Sequence, residues 1–195
     1  MGDEDTQEEK DERTIIIIKP EGLSKDWKVL GRDVFTYALG RLDAIDDIEV
    51  THARTLIADR DRIANTYIQH KEKPFYELFF PYFVGNQIHV AIYEGKGVIK
   101  KVMAECGNKD PALARREWLG VLRPEYGEID AEKALTDPEL MQRFPPPLRA
   151  LSNDSLEAAI KEERMVRNLI HRADSEGAAE RTIGIWYPEL ARFFQ

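Results

Sequence analysis

Thr14 to Ile18 is an unbroken β-branched run with no polar alternation, a pattern that predicts a central strand buried on both faces. Lys19-Pro20-Glu21-Gly22 closes it, since proline removes a ladder donor and glycine permits a turn. From Leu30 to Leu42, Val34, Ala38 and Leu42 recur at helical spacing beside Phe35 and Leu39, which predicts a core-facing helix. Ile48 to Ile57 alternates loosely and reads as a strand; Asp59 then caps a helix carrying Ile63, Tyr67 and His70 on one face. Lys73-Pro74-Phe75-Tyr76 breaks that helix, and aromatic residues crowd the stretch to Phe83, giving a helical flap packed by rings. Gln87 to Tyr93 is a third strand, and Gly95 and Gly97 open a short helix over Val98 to Glu105.

Beyond Pro111 the pattern loosens. Ala112 to Tyr126 is basic and aromatic, and its end, Leu122-Arg123-Pro124-Glu125-Tyr126-Gly127, is expected to leave the helix and hold Arg123 by loop geometry. Residues 128–167 read as two short helices about a proline hinge at Pro145 to Pro147. A helix near Glu176 to Arg181 leads into an expected last strand, Thr182 to Tyr187. Strand, helix, strand, helical flap, strand, helix, long loop, helix, strand is the βαββαβ order. That order predicts a mixed α/β protein of the α+β kind, a ferredoxin-like antiparallel sheet with a helical flap and an inserted helical segment.

At 195 residues and 43% hydrophobic, the chain suits one domain, expected over residues 14–195 with the insertion at about 128–167. Of the formal charge of −8, residues 1–13 carry −5, with seven acids against two bases and no hydrophobic residue after Met1. They are expected to form a disordered acidic tail, and the remaining −3 leaves the body near balance. An anionic ligand must then be met by a local group of bases, and general nucleic-acid binding is not expected. No apolar run approaches the roughly 20 residues that span a bilayer, and the lone Cys106 fits a reducing compartment, so a cytoplasmic protein without a membrane role is expected.

The candidate chemistry centres on Asn168-Leu169-Ile170-His171-Arg172-Ala173-Asp174-Ser175. An imidazole between apolar residues and a helix-start signal projects into a cleft, where it serves as base, metal ligand or nucleophile. Lys19 stands at the carboxyl end of the first strand, a common ligand-binding position in α/β sheets, and Tyr67 and His70 are neighbours three apart on a helix.

Taken together, the motifs resemble those of the nucleoside diphosphate kinase family. Ile17-Ile18-Lys19-Pro20-Glu21-Gly22 is similar to its opening Lys-Pro-Asp strand, Tyr67, His70, Pro74 and Phe75 to its nucleotide flap, Leu122 to Gly127 to its Ile-Arg-Gly-Asp-Phe-Gly, and Asn168 to Ser175 to its histidine segment. The resemblance implies a ping-pong kinase in which His171 accepts the terminal phosphate of a nucleoside triphosphate and passes it to a diphosphate. It implies that Lys19 and Arg123 hold phosphate, Tyr67 contacts the histidine or phosphate, Asn168 meets the ribose and Phe75 stacks on the base. It further implies Mg²⁺ carried in by the nucleotide, with no dedicated metal cage, and a homo-oligomer.

This chain departs from that pattern in places. Met103 stands where the family has a phosphate-binding arginine and Lys109 where it has a threonine; Arg172-Ala173 replaces Gly-Ser, and Thr182 replaces a glutamate that supports the histidine ring. Lys109, Lys100 and Arg172 are candidate compensating cations. Loss of ring support implies a slower enzyme. The alternative is a nucleotide-binding regulatory or scaffold protein on the same fold.

Overall fold

The computed structural model describes residues 10–193. In chain order the elements are strand β1 (Asp11–Ile18), a 3-10 turn (Pro20–Leu23), the two-residue strands β2 (Lys28–Val29) and β3 (Arg32–Asp33), helix α1 (Val34–Asp43), β4 (Ile48–Ile57) and α2 (Arg60–Thr66). Helix α3 (Phe79–Phe83), β5 (Gln87–Lys96), α4 (Val98–Cys106) and α5 (Pro111–Tyr126) follow. The last part holds α6 (Ala131–Thr136), α7 (Pro138–Arg143), a 3-10 turn (Leu148–Leu151), α8 (Leu156–Lys161), β6 (Ile170–Arg172) and α9 (Glu176–Trp186).

Four strands form one antiparallel sheet in the order β4-β5-β1-β6, the ferredoxin-like arrangement that the element order predicts. Alternation along β1 divides the core. Ile16 and Ile18 pack with Val34, Ala38 and Leu42 of α1, Val102 of α4 and Leu122 of α5. Ile15 and Ile17 pack with Tyr67, Phe79 and Phe83 of the flap and with Ala179, Ile183 and Trp186 of α9. All four isoleucines are fully buried, as a strand covered on both faces requires.

Several elements differ from expectation. Strand β1 begins at Asp11, inside the segment read as a tail; Arg13 and Glu94 are opposite each other across the sheet, and residues 1–9 lie outside the described ones. The expected strand Thr182 to Tyr187 is instead the second half of helix α9, and the strand that completes the sheet is the short β6, which carries His171. Buried Ala179, Thr182, Ile183 and Trp186 are spaced three, four and seven apart, a helical period that outweighs their β propensity.

Leu122 to Tyr126 stays helical to the end of α5. Pro124 removes the bond to the carbonyl of Gly120, which is exposed and has access to water. Residues 128–167 hold three short α-helices and a 3-10 turn rather than two helices. Asp130, Asp137 and Ser155 cap the three helices by accepting hydrogen bonds from first-turn amides.

Candidate active site

His171 is the middle residue of β6 and lies opposite Ile17 in the ladder, so its ring faces the flap side of the sheet. Tyr67, at the end of α2, meets it edge-on with ring centroids 5.1 Å apart and an interplanar angle of 72°. Tyr67 is itself stacked on Phe79 at 3.9 Å, and its buried hydroxyl has no partner among the described residues. Lys19 follows the last residue of β1, and its backbone amide donates to Leu169 O at 2.9 Å, which brings the lysine turn against the segment that leads into His171. Its Nζ lies 5.6 Å from the Tyr82 ring centre and 5.9 Å from that of Phe83. The flap and the turn after β1 thus converge on the segment of one histidine.

A second cation stands there that the sequence motifs did not mark. Arg149, in the 3-10 turn of the inserted segment, is 5% exposed. Its Nε and one terminal nitrogen donate to Ile170 O at 3.2 and 2.9 Å, and the other donates to Gly107 O at 3.1 Å. Gly107 makes this approach possible: its φ is +72°, and a Cβ there would lie 2.5 Å from Pro147 Cβ. Two clues in the sequence could have found Arg149: its place just after the triple proline, and the rarity of an apolar-flanked arginine.

Arg123 occupies no such position. It projects from the last turn of α5 with its side chain 68% exposed and pairs with Glu128 at 3.2 Å, and no hydrogen bond or ion pair among the described residues joins it to the His171 group. The loop geometry expected to hold it is absent because α5 continues through it.

Electrostatics follow from burial among cations. Desolvation, then Lys19, Arg149 and Arg172, push the His171 pKa down to about 3, so the ring is neutral with a free lone pair through the physiological range. Burial lowers the Lys19 pKa to about 8, Arg149 acts in the same direction, and Glu21 and Asp154 oppose them. Burial raises the Tyr67 hydroxyl above its ordinary value.

Asn168 is buried; its Nδ2 donates to the Lys109 carbonyl at 2.7 Å while its Oδ1 lies buried without a partner among the described residues. The Lys109 side chain is exposed, and with Lys73 it lowers the pKa of His70 after burial has done so. Phe75 is 42% exposed and contacts the rings of His70 at 5.5 Å and Phe79 at 6.1 Å.

Arg172 alternates to the other face of the sheet, opposite Ile16, with its Nε buried and without a partner among the described residues. Met103 packs against the core on that same side. Thr182 is buried and closes its hydroxyl on Ala178 O of its own helix at 2.7 Å, and no hydrogen bond among the described residues reaches the His171 ring.

A family profile described as nucleoside diphosphate kinase matches residues 12–135, stopping short of Arg149 and His171. The nucleoside diphosphate kinase of Streptomyces avermitilis is 25% identical over 177 residues, which cover 91% of this chain and 96% of that protein. That of Helicobacter pylori is 31% identical over 121 residues, 62% of this chain and 80% of its own. Among solved structures, a transition-state mimic of nucleoside-diphosphate kinase from Borrelia burgdorferi with bound vanadate and ADP overlays with a TM-score of 0.66 at 17% identity, covering 91% of this chain and 87% of that one. At that identity the overlay speaks for the fold. No helix among the described residues is long and apolar enough to cross a membrane. With its sheet order, its flap and the match over residues 12–135, this chain belongs to the nucleoside diphosphate kinase family of phosphotransferases.

Proposed function

We propose that the chain transfers the terminal phosphate of a nucleoside triphosphate to a nucleoside diphosphate through a phosphohistidine on His171. The observation that carries this reading is the placing of His171 against the Tyr67 ring, in a segment that the Lys19 amide holds at Leu169 O and Arg149 holds at Ile170 O; burial among these cations favours the neutral imidazole. A free ring lone pair attacks the terminal phosphorus, the bond from phosphorus to the bridging oxygen breaks, and the diphosphate leaves. A second diphosphate then reverses the step through its own terminal oxygen. Lys19 and Arg149 hold the phosphate oxygens and stabilise the charge that moves between them. Arg149 takes the place given to Arg123 by motif. Its three hydrogen bonds go to backbone carbonyls and leave its positive charge unneutralised, which suits an anionic ligand.

Phe75, 42% exposed, is the ring assigned to the base, and Asn168, whose buried Oδ1 has no partner among the described residues, is the acceptor assigned to a ribose hydroxyl. Mg²⁺ would arrive on the nucleotide phosphates and neutralise charge there; the cationic character of the pocket fits an ion carried by the ligand rather than by protein carboxylates. Thr182 and Ala173 give the ring no hydrogen-bonded support, so turnover is slower than in a site that has it, by a decade or so. Strand β4 bears a ladder on only one side among the described residues and exposes Val50 and Ile57, in keeping with a homo-oligomer.

Incubation with γ-labelled ATP and Mg²⁺ tests the reading. Acid-labile label should appear on the wild type, be absent from His171→Gln and be discharged by added diphosphate. Nucleotide binding without label at any ratio would leave the regulatory alternative standing.

A further inference from the structure

Glu21 lies in the turn after β1 and is half-buried. Its Oε1 accepts from the backbone amide of Leu169 at 2.9 Å and its Oε2 accepts from the hydroxyl of Tyr82, in the last turn of the flap. Leu169 is a non-glycine residue at φ +67°, a left-handed conformation that costs about 1 kcal/mol or more. Its amide is held by Glu21 and its carbonyl by the Lys19 amide, so both polar groups of the strained peptide are fixed by one short turn. Gly22 completes the seat: a Cβ there would lie 2.6 Å from both Ile18 Cγ2 and Leu169 Cδ1. Two residues later comes His171.

We infer that Glu21 is a positioning residue for phosphoryl transfer: its carboxylate ties the flap through Tyr82, the lysine turn and the strained Leu169 into one frame that fixes His171 relative to Lys19. The inference rests on the phosphohistidine reading. The charge of Glu21 acts on the Lys19 ammonium, as that of Asp154 does from the inserted segment, against Arg149 from the 3-10 turn and beside His171 of β6; the Tyr82 and Phe83 rings complete that environment from the flap. Of these groups, Glu21 and Asp154 keep the lysine protonated.

The test is single-turnover labelling of the full chain with γ-labelled ATP and Mg²⁺ across pH, alongside thermal denaturation. Glu21→Gln keeps an acceptor for Leu169 and removes the charge. It should label about tenfold more slowly at little-changed half-saturating ATP, a size usual for partners that orient a reactive group. The alkaline limb of its rate should move to lower pH, because Lys19 loses its proton more readily. Tyr82→Phe leaves the carboxylate and the Leu169 bond in place and should keep the wild-type limb. Glu21→Gln labelling at the wild-type rate with an unmoved limb would overturn the inference. So would a slowed variant whose limb is unmoved and whose loss of thermal stability Tyr82→Phe reproduces. Should Glu21→Gln not fold, Glu21→Asp serves instead: charge kept and reach shortened, it should label slowly with the wild-type limb, and a wild-type rate or a moved limb would count against the inference. Absence of label from the wild type is a separate result, and defeats the phosphohistidine reading itself.

Discussion

Lys19 is an ammonium placed where the fold alone would not keep it. It is 5% exposed, and no hydrogen bond or ion pair among the described residues reaches its Nζ. Its pKa of about 8 in the folded chain lies below the ordinary 10.5, so the unfolded chain holds that proton more tightly. Below about pH 8 the folded state therefore bears the full penalty of the buried charge, roughly 3 kcal/mol, and the penalty fades as pH rises toward 10.5. Lys19→Met should raise the melting temperature at pH 7, lose that gain near pH 10 and abolish phosphoryl transfer. A lower melting temperature at pH 7 would mean that the ammonium has a stabilising partner in solution. The sequence made Lys19 and His171 visible because each lies in a short motif with a strand end or helix start beside it. It hid the contacts of Glu21, which join residues 61 and 148 positions apart.

At the scale of elements, the sharpest contrast is between the surroundings of two arginines. Leu122-Arg123-Pro124 and Leu148-Arg149-Ala150 both offer a leucine-arginine pair near proline, and local pattern does not rank them. What separates them is long-range: α5 runs on through Pro124 and points Arg123 at solvent, whereas Gly107 admits the Pro147 turn and seats Arg149 on the carbonyls of Ile170 and Gly107. Arg149→Ala should cut transfer on the order of a hundredfold, as loss of a charge-stabilising donor does. It should also lower stability, because it leaves two backbone carbonyls unpaired. Arg123→Ala should stay within about twofold of wild type, as an exposed residue with a weak surface ion pair. Steady-state rates of the two variants decide the matter, and equal losses would return Arg123 to the site. The misread end of the chain has a related cause, since a short β-branched and aromatic run carries both periods until the helix cap at Ser175 is weighed with it.

Across the whole molecule, the sheet order was legible because four consecutive isoleucines admit only a central strand, and the rest of the sheet assembles about it. Where residues 128–167 pack was not legible, for their anchors are single side chains reaching backbone far away: Arg41 to Pro146 O at 3.1 Å, Trp118 Nε1 to Phe144 O at 2.8 Å and Arg115 Nε to Ala150 O at 3.2 Å. The far side of the molecule has its own tie. Trp186, fully buried in α9, donates from Nε1 to Thr66 Oγ1 at 2.9 Å, next to Tyr67 at the base of the flap. An indole in that position is an optical gauge. With Trp27 and Trp118 replaced by phenylalanine, the emission of the remaining tryptophan should change in wavelength or intensity as ADP is titrated, reporting on the base of the flap in real time. Constant emission while calorimetry records binding would mean that nucleotide enters a cleft whose base is already set.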